Sequence, residues 1–88
     1  MNTIKKLIKD YGDARTSLNK LSREETPWAD MHANERTNIR IKILTLRLNA
    51  KEYVSKDEVK MKRANMIYEA TFEMEDELDS LGGIPDED

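Results

Sequence analysis

The sequence predicts an all-α protein of three helices. Apolar residues recur at spacings of three and four through most of its 88 residues. Helix-start signals stand at Thr3, at Thr26-Pro27 and at Ser55. Only 3 Gly and 2 Pro interrupt the pattern, so few positions can break a helix.

Thr3 is placed to cap the first helix, which the spacing predicts over about 3–21. Ile4, Leu7, Ile8, Tyr11, Ala14, Leu18 and Leu21 make one apolar stripe, with Lys5, Lys6, Lys9, Asp13 and Lys20 opposite. Gly12 inside it costs about 1 kcal/mol against Ala. Residues 22–26 connect. Thr26 followed by Pro27 reads as a helix start, because Pro at the first helical position lacks only an N–H that would be unpaired there. The second helix is predicted over about 27–50. Its stretch IRIKILTLRL also alternates like a strand, but its flanks have helical spacing and no turn signal bounds it. Read as a helix, it has two stripes: Ile39, Ile43, Leu46 and Ala50 on one, Ile41, Leu44 and Leu48 on the other. Arg36, Arg40, Arg47 and Lys51 share a third face.

Ser55 to Glu58 reads as a capping box, with the Ser hydroxyl accepting from the Glu58 N–H. The third helix is predicted over about 56–81, with Gly82 as a left-handed stop and Pro85 beyond it. Its stripes are Val59, Met66, Ala70, Met74, Leu78 and Leu81, with Ile67 beside them, and on another side Met61, Tyr68 and Phe72. The expected organisation is a single domain over 1–81, a long antiparallel hairpin with the first helix against it, and an acidic tail over 82–88.

Two long helices apolar on two flanks carry more apolar surface than one short chain can cover. A homo-oligomer is therefore expected, with Ile41, Leu44, Leu48, Met61, Tyr68 and Phe72 at the interface. The competing expectation is a three-helix monomer with Tyr68 and Phe72 partly exposed.

Charge is strongly segregated. All 15 Lys and Arg lie in residues 1–63 beside 9 acids, while residues 64–88 hold 9 acids and no base. Either the opposite charges meet as the chain folds back, or one pole meets a partner. For a partner, Arg36, Arg40, Arg47 and Lys51 are candidates for phosphate or an acidic surface. Glu69, Glu73, Asp76, Glu77 and Asp79 are candidates for a basic one.

Little points to catalysis or cofactors. With 0 Cys there is neither a disulfide nor a thiolate metal site. His32, the one His, has Asp30 and Glu35 nearby without a recognisable metal spacing, and reads as a partly exposed surface residue. No nucleophile elbow or phosphate-binding glycine loop is present. A non-enzyme without cofactor is expected. Trp28 and most of the five Met read as core. No membrane span or signal peptide is expected, which suits the cytoplasm. Sequence-specific DNA reading is not expected, because the second helix is too apolar to lie in a groove.

From Asn34 to Leu81 the order of features resembles the helical region of phage terminase small subunits, the DNA-packaging family. An Arg- and Leu-rich helix, a short loop and a capped helix follow in ERTNIRIKILTLRLNAKEYVSKDEVKMKRANMIYEA, with AKEYVSKDEV at the loop. The resemblance implies helical assembly and a packaging or assembly role in a host cytoplasm. The family's N-terminal helix-turn-helix has no counterpart, since residues 1–26 hold only one helix, so no DNA-contact residue is carried over. The alternative is a small phage-encoded inhibitor that presents its acidic third helix to a nucleic-acid enzyme.

Overall fold

The computed structural model describes residues 3–82. The predicted tail beyond Gly82 lies outside them. The described residues form three helices, α1 (Ile4–Ser22), α2 (Ala33–Glu52) and α3 (Glu58–Gly82), with a single 3-10 turn at Asp30–His32. The chain runs up, down and up. Lys42 of α2 meets Ser17 of α1, Arg40 of α2 meets Asp79 of α3, and Arg15 of α1 meets Glu77 of α3. Hence α2 is antiparallel to both neighbours, which are parallel to one another. The α2–α3 pair makes the most extensive contact. The bundle is elongated, 51 × 23 × 17 Å.

The helix α1 begins where Thr3 Oγ1 accepts from the Lys6 N–H at 3.1 Å, as its position predicted. It buries Leu7, Ala14, Leu18 and Leu21. Ile4 and Tyr11 flank that core, while Ile8, expected on the same stripe, is 43% exposed. Gly12 has open space where a Cβ would stand. Gly12→Ala should therefore raise stability by about 0.5–1 kcal/mol, measured by chemical denaturation.

The start of α2 differs from the sequence expectation by six residues. Pro27 and Trp28 lie in a turn closed by the Ala29 N–H donating to the Thr26 carbonyl at 2.9 Å. One nitrogen of Arg36, Nη1, donates to the carbonyls of Pro27 at 2.8 Å and Ala29 at 2.7 Å. This clamp satisfies backbone groups outside a helix, so the chain turns there before entering α2. Trp28 is half-buried but outside the main core cluster, contrary to its assignment as core. Along α2, the predicted inner stripe Ile39, Ile43, Leu46 and Ala50 is fully buried.

The cap of α3 is also displaced. The Asp57 carboxylate, through Oδ1, accepts from the Val59 and Lys60 N–H groups at 2.9 and 3.3 Å. Ser55 Oγ instead accepts from the Asp57 N–H at 3.1 Å. The capping box is thus replaced by an Asp cap two residues on, where a carboxylate also meets the positive end of the helix dipole. Asp57→Ala should cost about 1 kcal/mol, and Ser55→Ala less, in paired thermal melts.

The inner face of α3 is Ala64, Ile67, Thr71, Met74 and Leu78. Val59 and Met66, expected on that stripe, are exposed. At 3.6 residues per turn, Met66 stands a large step around the helix from the Ile67–Met74 line. Gly82 is no left-handed stop. It is the last residue of α3, and no described Gly has a positive φ. What it supplies is room: a Cβ there would sit 3.3 Å from Cδ of Arg36.

Candidate functional site

The two sets of charged candidates meet each other. Arg47 donates from Nε to Thr71 Oγ1 at 3.0 Å, and from Nη2 to the Thr71 carbonyl at 3.3 Å and to Glu75 at 2.8 Å. Its guanidinium lies 3.9 Å from the centroid of the Phe72 ring. That ring meets Tyr68 edge-on at 5.1 Å. Arg40 bonds Glu75 at 3.4 Å and also Asp79. Arg15 bonds Glu77 at 2.8 Å. The basic ridge expected along α2 is therefore not a free surface. Arg36 holds the α1–α2 connection, and Arg40 and Arg47 are neutralised by α3. Of the four, only Lys51 has neither a side-chain hydrogen bond nor an ion pair to a described residue.

Of the acidic candidates, Glu77 and Asp79 are taken by Arg15 and Arg40, while Glu69, Glu73 and Asp76 are exposed without an ion pair to a described residue. Glu75, which holds two arginines, was missed. Its signal was the antiparallel hairpin: Arg40 and Arg47, two helical turns apart, need an acid opposite the space between them.

His32 is more enclosed than a surface residue. Its side chain is 13% exposed, and its two ring nitrogens lie 4.0 Å from Glu24 and 3.9 Å from Glu35. Asp30 is exposed. The two carboxylates address opposite nitrogens, so they do not converge on one point. Among the described residues no group of three or more acids and His is placed to hold a metal ion. No helix of the described residues is long and apolar enough to cross a membrane.

The expected interface residues divide. Met61 and Tyr68 pack against the edge of the protomer's own core. The Met61 sulfur accepts from the Ser55 N–H at 3.2 Å, which draws that side chain inward. Ile41, Leu44 and Leu48 remain 57%, 42% and 55% exposed, and Phe72 42%. On α2 these aliphatic residues point away from the buried Ile39, Ile43, Leu46 and Ala50, so the helix is apolar front and back.

Thr37, Ile41, Leu44 and Leu48 follow one another at spacings of four, three and four. That is the a/d spacing of a helix–helix seam, and none of the four is charged. Arg40 and Arg47 flank it, with Glu75 and Asp79 already bound to them. No family model, curated protein or solved structure matches this chain.

Proposed function

We propose that this chain is a non-catalytic assembly accessory of the phage DNA-packaging type. It works by self-association through the outer seam of α2 and by binding through charged surface. One observation carries the self-association: Ile41, Leu44 and Leu48 stand on the helix face opposite the core, at coiled-coil spacing. Scattered exposed Leu residues need no explanation, but an uncharged heptad seam does. A second copy fits it. On a two-fold contact the four uncharged residues of one copy meet the same four of the other. The flanking arginines arrive with their counter-ions, so the contact brings no uncompensated positive charge to itself. The packaging role follows the resemblance of residues 34–81 to terminase small subunits.

The test is the mass in solution, with and without duplex DNA. A dimer that retains DNA at low salt supports the proposal. A monomer that ignores DNA contradicts it.

A second reading is favoured by Glu69, Glu73 and Asp76, three exposed acids along the outside of α3 with no described ion-pair partner. Here the chain is an inhibitor whose carboxylates occupy a phosphate-binding surface on a nucleic-acid enzyme. Inhibition of such an enzyme that disappears in Glu69→Lys/Glu73→Lys would support it. Inhibition unchanged in that variant would contradict it.

A further inference from the structure

The up-down-up path brings the start of α1, the end of α2 and the start of α3 to one end of the bundle. Residues 3–10 and 51–63 at that end hold eight Lys and Arg against four acids. Residues 20–36 and 73–82 at the other end hold three against nine. The segregation of charge along the chain thus becomes a segregation along the long axis.

The acids of the basic end are partly used. Asp10 holds Lys6 at 3.1 Å, and Asp57 caps α3. Lys5 and Lys9 from α1, Lys51 from α2, and Lys56, Lys60 and Lys62 around the start of α3 are all exposed, and none forms an ion pair with a described residue. Two helices begin at this end and one finishes there, so the net helix-dipole field is positive as well.

We propose that this end of the bundle binds the phosphate backbone of duplex DNA without reading its sequence. The inference rests on the DNA-binding part of the packaging proposal, and it moves the binding surface away from Arg36, Arg40 and Arg47, which are engaged within the protomer. Lysine ammonium groups on flexible stems act as point charges for phosphates, whereas base reading needs donors fixed in a groove. Three helix termini seen end-on offer no helix to lie in one. A duplex presents a charge about every 1.7 Å of its axis, so an end face of this size spans several phosphates. Val54 and Val59 are exposed at the same end, but two valines do not make the continuous apolar face by which a helix enters a lipid surface.

The experiment compares two variants of the full chain that remove equal charge from opposite ends, Lys60→Gln/Lys62→Gln and Lys20→Gln/Arg23→Gln. Each is titrated with a labelled mixed-sequence duplex across a salt series, after circular dichroism shows native helicity. The unmodified chain should bind at low salt. The Lys60/Lys62 variant should bind about tenfold more weakly, with its salt slope shallower by about 0.9 for each phosphate it no longer neutralises. The Lys20/Arg23 variant should stay within about twofold of the unmodified chain, since charges far from the duplex are screened. Equal binding by both variants would overturn the location while leaving DNA binding intact. No DNA binding by the unmodified chain would overturn both, and preference for phosphatidylserine vesicles over duplex in direct competition would overturn duplex DNA as the occupant of this end.

Discussion

Ile43→Ala should destabilise the protein by about 3 kcal/mol, and Ile41→Ala, two residues away, by well under 1 kcal/mol in the isolated protomer. Ile43 is fully buried on the face of α2 that meets the rest of the core, so truncation removes transfer energy and leaves a cavity. Ile41 stands on the outer face with more than half its surface in solvent. A bundle of this size has a total stability of roughly 4–13 kcal/mol. Losing about 3 kcal/mol would lower its melting temperature by more than about 12 °C. Urea denaturation of both variants at low protein concentration measures the contrast. Equal effects would mean that the two faces of α2 are covered alike, contrary to the fold described.

Arg47→Ala should cost about 2 kcal/mol. The side chain makes three hydrogen bonds to α3 and lies on the Phe72 ring, in a site where it is only 19% exposed. Bonds from a charged donor are stronger than neutral ones, and a desolvated cation over an aromatic face adds to them. Truncation leaves Glu75 with Arg40 alone and strips the Thr71 carbonyl of this donor. Arg47→Lys should recover only part of the loss, because one ammonium group cannot reproduce the planar fork that spans Thr71 and Glu75. Thermal melts of the two variants decide this. Full recovery by Lys would show that charge alone matters.

Periodicity identified all three helices and the buried faces of α1 and α2, because Leu7, Ala14, Leu18 and Leu21, and then Ile39, Ile43, Leu46 and Ala50, are apolar at helical spacing. On the buried face of α3 it found Ile67, Met74 and Leu78 but put the exposed Val59 and Met66 beside them and passed over Ala64 and Thr71. One position of that face is Thr71, a polar residue whose environment is completed by Arg47 from another helix. No local pattern announces such a partner. The starts of α2 and α3 were misjudged for similar reasons. Pro27 has the backbone for a first helical residue, yet Arg36 binds carbonyls at 27 and 29 from beyond it. Ser55 and Asp57 are both competent caps, and the chain uses the charged one. The candidate site shows the same limit. Ile41, Leu44 and Leu48 were legible as a second stripe, and they are the exposed one. The Arg residues of α2 looked like a surface ridge because the sequence does not show that Glu75 and Asp79 fold back onto them.

The claim that the outer face of α2 joins copies of this chain is tested most directly by light scattering on the unmodified chain and on Leu44→Glu/Leu48→Glu. Both substitutions fall on exposed positions, so helicity and melting of the protomer should survive them. The unmodified chain should have a mass at least twice that of the 10.3 kDa protomer, and the variant the mass of one. A monomeric unmodified chain, or a variant that associates as strongly as the original, would contradict the claim.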